Sequence, residues 1–350
     1  MTDARAEAAL DAHWRWAAGG TAVAVLLLAA LPTPSPSAQF VVLAVGVALL
    51  GFPHGALDPL VASIGGALRS PARLAVFLAS YLGLAGLAFA LWLTAPGVAL
   101  AAFLVYSGVH FGLGDVDAYG SNPPRALRLA RVVVHGAAPI LHPVAAYPAE
   151  AAELFGILAG AEATRVQALV ESAAPVALGA WIALAVASYA WPACWPGRRQ
   201  EWRGAGELAL LVAAFWVAPP LVSFSIYFCV WHSVRHFVAV DRAVQGVFSL
   251  RAVVVGLAVL AGTLLLLGGG HLSAGLSGNA TDVVRTVFVA LACLTPPHML
   301  VTSMLAREPM GAEESSGGSR CRPGPSHELP ENGIGDGRGS VTRRSRSGRS

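Results

Sequence analysis

Long apolar runs separated by short polar stretches dominate the chain. We recognise ten such runs, at residues 17–31, 40–62, 74–93, 98–114, 127–146, 174–192, 205–218, 221–240, 252–268 and 284–305. A helix needs about 20 apolar residues to cross the hydrocarbon core of a bilayer, and most of these runs approach that length. Composition agrees, because only 12% of the 350 residues are charged, whereas soluble domains carry roughly 25%. The pattern predicts an all-α, polytopic membrane helical bundle of about ten transmembrane helices embedded in the lipid bilayer.

The placement of arginine predicts how these helices are oriented, because cytoplasmic loops of membrane proteins are enriched in basic residues. With a cytoplasmic N-terminus, every predicted inner segment contains arginine: Arg5, Arg15, Arg69, Arg73, Arg125, Arg128, Arg131, Arg198, Arg199, Arg203, Arg242 and Arg251. The predicted outer segments hold only Arg165 and, at a helix start, Arg285. We therefore expect a multi-pass protein of the inner (plasma) membrane with both termini cytoplasmic.

Two segments near the chain ends need separate interpretation. The run at 17–31 could be a secretion signal, but the polar leader before it contains Asp3, Glu7 and Asp11. A signal peptide begins with a basic region instead, so we favour a retained first helix. After Arg307 the composition changes to Gly, Ser, Pro, Glu and Arg, which cannot bury enough apolar surface to fold. The sequence predicts an integral membrane domain over 1–306 and a polar, disordered tail over 307–350.

Five histidines interrupt the apolar runs: His54, His110, His232, His236 and His298. His232 and His236 are one helical turn apart, so they share a face and would make a good half-site for a transition metal. In the predicted topology all five lie on helices that run in one direction, about 11 to 15 residues from each helix start. At 1.5 Å per residue they occupy one layer, roughly 16–22 Å below the outer surface. Core histidines bonded to carbonyls are the alternative, but a common depth favours a shared metal.

Three charged residues accompany these histidines. Asp58 follows His54 by four residues, Asp115 follows His110 by five, and Arg235 precedes His236. Metal-bound imidazoles usually donate their other N–H to a carboxylate or carbonyl, so we expect Asp58 and Asp115 to orient the ligands and Arg235 to pair with either carboxylate. A buried Arg–Asp pair that joins helices is an alternative reading, compatible with the first. Polar packing is the expectation for His135 and His142, which lack such neighbours, and solvation is the expectation for His13 and His271.

The residue types restrict the chemistry. Ligation by imidazole alone suits iron(II), copper or zinc. The chain has no HExxH, GxSxG or nucleotide-binding glycine loop, which argues against a zinc protease, a serine hydrolase and use of ATP or NAD. Nothing indicates nucleic acid binding. A metal inside a bilayer favours a lipophilic substrate and O2, hence oxidative chemistry on an isoprenoid or acyl chain. A His-lined metal or proton transporter, a bis-His haem protein, and a desaturase, hydroxylase or other carotenoid or lipid oxygenase are the alternatives.

Four histidine-bearing blocks, PHGALD, VHFGLGD, WHSVRH and PPHM, follow one another on these apolar runs. Together, over residues 40–305, they resemble the Brp/Blh family of bacterial and archaeal β-carotene 15,15′-dioxygenases. The resemblance implies a non-haem iron enzyme that cleaves β-carotene at its central double bond with O2. The product would be two molecules of retinal, the chromophore of microbial rhodopsins, which implies a functional link to such a rhodopsin. It also implies Fe(II) held by His54, His110, His232 and His236, with His298 as an additional candidate ligand.

Overall fold

The computed structural model describes residues 2–118, 123–190, 198–244 and 280–305, together with residue 261, and its regular structure in these residues is helical. The helices are α1 (Thr2–Ala30), α2 (Pro36–Gly46), α3 (Phe52–Ala56), α4 (Asp58–Ile64), α5 (Pro71–Thr94), α6 (Pro96–Ala118), α7 (Arg125–Ala146), α8 (Pro148–Ala159), α9 (Ala163–Ala190), α10 (Arg198–Val217), α11 (Pro220–Ser225), α12 (Val234–Val244) and α13 (Ala280–Leu305). Two π-helical turns, Val47–Gly51 and Ile226–Ser233, connect α2 to α3 and α11 to α12, and a 3₁₀ turn, Gly160–Glu162, connects α8 to α9.

Within the described residues, six helical stretches are long and apolar enough to cross a membrane: Pro36–Ile64, Pro71–Thr94, Pro96–Ala118, Arg125–Ala146, Ala163–Ala190 and Thr281–Ser303. The all-α class is confirmed and the apolar helices indicate a membrane protein, whereas the predicted count of about ten spans is not confirmed. Three further predicted runs are helical but are not among the six: 17–31, 205–218 and 221–240. The predicted span at 252–268 and the predicted tail at 307–350 lie outside the described residues.

Proline marks where several of these helices begin. It is the first residue of α2, α5, α6, α8 and α11, because its ring holds φ near the helical value and its missing N–H would have no partner in the first turn anyway. Ser35 and Ser70 cap two of these helices, each with its Oγ accepting a hydrogen bond at 3.3 Å from a backbone N–H three residues later. These signals divide the apolar sequence into separate helices.

The glutamate-containing segment 147–173 is helical nearly throughout. It comprises α8, the 3₁₀ turn and the first part of α9. Leu158 and Ala159 of α8 are buried, and this helix packs against α6, α7 and α9. The segment therefore belongs to the bundle that surrounds α6.

Helices α6 and α7 approach each other unusually closely. A Cβ atom added at Gly112 would lie 2.0 Å from the carbonyl oxygen of Val132, and one at Gly136 would lie 1.8 Å from that of Gly108. No side chain fits at either position, so the two backbones are in direct contact, as small residues allow between membrane helices. This contact fixes the position of α6, which carries His110.

The two largest fully buried side chains of the described residues lie on the same stretch as His232, just before His236. Trp231 and Tyr227 are at most 1% exposed, and Trp231 donates a hydrogen bond from Nε1 to the Thr21 hydroxyl of α1 at 3.0 Å. His13 of α1 is also buried and contacts the Val230 carbonyl through Nε2 at 2.8 Å. The expectation that solvation explains His13 is therefore wrong, because α1 packs along the histidine-bearing helix.

Candidate metal centre

The five histidines that interrupt the apolar runs meet in one cluster. The ring centroid of His54 lies 4.9 Å from that of His298, 5.4 Å from that of His236 and 5.7 Å from that of His232. His110 lies 4.8 Å from His232 and 4.9 Å from His298, and His236 lies 4.9 Å from His298. Each ring thus contacts at least two others, although the residues come from four separate stretches of the chain.

Two of these stretches contain a π-helical turn beside the histidines. Val47–Gly51 directly precedes the short helix that carries His54, and Ile226–Ser233 contains His232. A π turn adds one residue to a helical turn, so it rotates all the side chains that follow it, and such turns are frequent at functional sites. The hydrophobic pattern contains no signal for either turn.

Hydrogen bonds orient two of the rings. The Nδ1 atom of His54 contacts the Gly51 carbonyl, and the Nδ1 atom of His298 lies 2.7 Å from Oδ1 of Asp58. A carbonyl oxygen accepts, and so does a carboxylate oxygen that faces an imidazole N–H, so we place the proton of each ring on Nδ1, which leaves the Nε2 lone pair available. Metal-binding histidines usually have this arrangement.

The remaining ring nitrogens fit a cation. His236 and His298 each bury an Nε2 atom that has no hydrogen-bond partner, and the Nε2 atoms of His110 and His232 lie 3.1 Å apart. Leaving a buried acceptor unpaired costs about 1–3 kcal/mol, and a bound metal ion would remove that cost. The donor set, made of imidazoles with one carboxylate nearby, therefore fits a transition metal.

The sequence placed His298 behind the other four histidines as a candidate ligand. In the structure, however, His298 has a central position in the cluster. In the part of the chain that the structure describes, two groups have ligand atoms that all lie within 4.8 Å of one another, namely His54 with His110 and His298, and Asp58 with His236 and His298. His298 belongs to both groups. Whether any of the five binds a metal stays a prediction, but the geometry gives no reason to set His298 apart.

Asp58 serves a different histidine from the one that its spacing suggested. Its Oδ2 atom accepts a hydrogen bond from the Tyr81 hydroxyl at 2.8 Å, and its Oδ1 atom accepts from His298. The four-residue spacing from His54 does not bring the two together, because α3 ends at Ala56 and a new helix begins at Asp58. Tyr81 is a site residue that the sequence did not indicate, since it stands alone in an apolar run.

Asp115 and Arg235 form an ion pair beside the cluster. Arg235 donates from Nη1 to Oδ1 of Asp115 at 2.7 Å and from Nη2 to Oε2 of Glu207, while the Tyr227 hydroxyl donates to Asp115 at 2.9 Å. The hydrogen bonds of Asp115 therefore do not go to His110. Its carboxylate is 1% exposed and that of Glu207 is 0% exposed. Asp115 and Arg235 are therefore best described as a buried ion pair that joins helices. Glu207 is a third member of this charged group, and the sequence did not indicate it.

A partly open cavity adjoins the histidines. His54, His110 and His298 form one part of its wall, and Ser107 and Tyr81 supply hydroxyl groups. The rest of the wall is mainly apolar and aromatic and includes Phe52, Phe103, Phe111, Phe224, Phe228, Leu291 and Leu294. A flat apolar molecule is the kind of ligand that this wall suits.

Comparison with known proteins identifies the family. The family model described as beta-carotene 15,15′-dioxygenase matches residues 45–306. The beta-carotene 15,15′-dioxygenase of uncultured marine bacterium 66A03 is 31% identical over 271 residues, which cover 75% of this chain and 92% of that protein. The probable beta-carotene 15,15′-dioxygenase Blh of Halobacterium salinarum is 34% identical over 257 residues, 67% of this chain and 72% of that protein. This chain belongs to the β-carotene 15,15′-dioxygenase family. No solved structure matches it.

The resemblance to the Brp/Blh proteins, seen in the four histidine-bearing blocks, is thus confirmed. All five clustered histidines and the whole cavity wall lie inside the region that matches the β-carotene 15,15′-dioxygenase family. The two other membrane histidines of the described residues lie outside the cluster. His135 contacts the Tyr189 hydroxyl at 2.5 Å, and His142 accepts a hydrogen bond from Trp216 at 3.0 Å, in keeping with the expected polar packing.

Proposed function

We propose that this protein cleaves β-carotene at its central 15,15′ double bond with O2 and releases two molecules of retinal. The observation that carries the proposal is a cluster of five imidazoles, three of which line an apolar, aromatic cavity, within a bundle of membrane-type helices in a chain of this family. Relatives named as β-carotene 15,15′-dioxygenases support the substrate and the reaction. The reaction is balanced without a reductant, because the two oxygen atoms of O2 become the two aldehyde oxygens.

Iron(II) is the metal that we assign to the cluster, with His54, His110, His232 and His236 as ligands and His298 as the fifth. When bound, the ion would supply the activation that triplet O2 needs before it can react with a closed-shell polyene. Asp58 holds the Nδ1 proton of His298, so that the Nε2 lone pair stays directed into the cluster. Tyr81 in turn fixes the carboxylate of Asp58.

The cavity wall would position the substrate. Rings such as Phe111, Phe224 and Phe228 can pack against a conjugated chain and hold its central bond beside the histidines. Positioning of this kind contributes to rate by making the encounter of reactants effectively intramolecular. The apolar wall also excludes water from the reacting atoms. No side chain is needed as a general base, because the substrate gives up no proton.

The location follows from the substrate. β-Carotene dissolves in lipid, so we place the enzyme in the inner membrane, with both termini cytoplasmic, where the retinal it forms can reach a microbial rhodopsin. A substrate and a gas that both partition into lipid can reach a centre inside the bundle without crossing water.

A bacterium engineered to accumulate β-carotene provides the test. Expression of the full chain in air should bleach the cells and yield retinal, and His232→Ala should leave the colour unchanged. His142→Ala is the matched control, because it removes another buried membrane histidine that lies outside the cluster; it should still bleach the cells.

Other outcomes would contradict the proposal in distinguishable ways. If β-carotene persists while the protein is folded and loaded with iron, this substrate is wrong. If apocarotenals of unequal length appear, the oxygenase class stands but the bond is wrong. Uptake of metal into vesicles that contain the protein, without carotenoid turnover, would favour a transporter.

A further inference from the structure

Two consecutive prolines in α13 remove hydrogen bonds from the middle of that helix. Pro296 and Pro297 have no backbone N–H, so the carbonyl of Ala292 has no donor at the position four residues later, where a helix normally supplies one. The ring of a helical proline also clashes with this same carbonyl and turns it away from the helix axis. Because Ala292 is 1% exposed, water does not compensate, and another donor is needed.

Tyr106 of α6 supplies that donor. Its hydroxyl lies 2.5 Å from the carbonyl oxygen of Ala292. A tyrosine hydroxyl facing a carbonyl acts as the donor, so the bond replaces the one that the prolines removed. This bond joins two helices whose principal neighbours lie elsewhere, since α6 packs mainly on α7 and α13 mainly on α5.

The bond lies close to the histidine cluster on both helices. Tyr106 is four residues before His110, one turn away on the same face of α6. Ala292 is six residues before His298. At 1.5 Å per residue, the bond is about 6 Å along α6 from His110 and about 9 Å along α13 from His298. Beyond it, the two imidazole rings are 4.9 Å apart.

We propose that Tyr106 is a positioning residue, and that its bond to the proline-freed carbonyl of Ala292 sets the separation of His110 and His298 before a metal binds. The proposal rests on the metal centre of the proposed function. In this reading the prolines of the PPHM block create the carbonyl acceptor that fastens α13 to α6, so their role goes beyond bending the helix.

A double-mutant cycle on the full-length protein tests this reading. Metal-free protein is prepared in detergent and titrated with Co2+, whose visible absorption reports ligand geometry. Tyr106→Phe should raise the dissociation constant about tenfold. Without the hydroxyl, metal binding must itself bring the two helices together, whereas in the native protein the hydrogen bond already holds them in place. Pro296→Ala should cause a similar loss, since the new N–H takes the Ala292 carbonyl into the helix. Adding Tyr106→Phe to Pro296→Ala should then change the constant by less than about twofold.

Two matched controls isolate the effect. Tyr147→Phe removes another hydroxyl that donates to a carbonyl on a neighbouring helix, that of Trp216 at 3.4 Å, and Tyr147 is far in the chain from the five clustered histidines. Pro175→Ala removes an exposed proline from the interior of α9. Neither should alter the dissociation constant or the Co2+ spectrum.

The outcomes separate the failures. If wild-type protein does not bind Co2+ or iron, the metal centre itself is wrong and this proposal falls with it. If wild-type protein binds and Tyr106→Phe lowers only the unfolding temperature, with dissociation constant and Co2+ bands unchanged, Tyr106 is merely structural and the proposal alone is wrong. An equal effect of Tyr106→Phe in both proline backgrounds would also contradict it. If Pro296→Ala fails to fold, the Co2+ spectra of the tyrosine variants decide. A shift of the Co2+ bands in Tyr106→Phe but not in Tyr147→Phe would support the proposal, and unshifted bands in both would contradict it.

Discussion

The two aspartates that follow clustered histidines in the chain should behave differently when neutralised. Asp58 bonds the Nδ1 atom of His298, whereas the bonds of Asp115 go to Arg235 and Tyr227. Asparagine has nearly the same shape as aspartate, and its amide oxygen can still accept one hydrogen bond. Asp58→Asn and Asp115→Asn therefore remove a charge at two buried positions without opening a cavity.

The expected magnitudes follow from what each carboxylate touches. Loss of a carboxylate that orients a metal-bound imidazole typically lowers affinity 10–100-fold, which corresponds to about 1.4–2.7 kcal/mol. We expect that loss for Asp58→Asn. In Asp115→Asn, Arg235 keeps Glu207, so the protein should lose about 1.5–3 kcal/mol of stability, the contribution of a charge-assisted hydrogen bond, while metal affinity changes less than about twofold.

Two measurements on purified protein separate these effects, namely the iron or Co2+ dissociation constant and the unfolding temperature of the metal-free form. Tyr81→Phe should have an intermediate effect, because it removes one hydrogen bond from Asp58 but leaves the bond between Asp58 and His298. It should lower metal affinity less than Asp58→Asn does. Equal losses of metal affinity in the two asparagine variants would refute the reasoning, and so would a larger loss in Asp115→Asn.

Three further predictions concern the surrounding structure. Arg235→Leu leaves two buried carboxylates without their guanidinium, so the free energy of unfolding should fall by about 3–5 kcal/mol in a denaturant titration. Arg235→Lys should recover part of this loss, and an unchanged unfolding midpoint in Arg235→Leu would contradict the prediction. Gly112→Ala places a Cβ 2.0 Å from the Val132 carbonyl and should sharply reduce the folded yield in size-exclusion chromatography, whereas Gly83→Ala, which meets nothing within 4 Å, should match wild type. Chelation should lower the unfolding temperature, because a metal held only by the folded state stabilises it, and a chelator without effect would argue against a bound ion.

The sequence was sufficient to predict which histidines cluster. Each of the five lies at a similar distance into an apolar run, and the length of a membrane helix converts that position into depth. That predicted depth is similar for all five residues, and in the structure their rings meet in one cluster. The all-α class follows from the same runs, because lipid leaves few alternatives to helices for so apolar a chain.

The contacts around the cluster could not be predicted in the same way. The bond between Asp58 and His298 joins residues 240 positions apart, and it depends on a helix break at Leu57 that local spacing does not show. Glu207 stands at the polar start of an apolar run, where a glutamate ordinarily marks the end of a span. Tyr106 gains its partner only because two prolines on another helix free a carbonyl. Each of these contacts depends on packing between distant segments.

The most direct test of the central claim is the retinal yield of purified protein as a function of bound iron. Metal-free protein is loaded with increasing iron(II) without oxygen, then given β-carotene and O2. We predict that retinal formation rises in proportion to bound iron, reaches its maximum at one iron per chain, and yields two retinal molecules for each β-carotene consumed. Full activity in metal-free protein, or loss of β-carotene without retinal, would contradict the account.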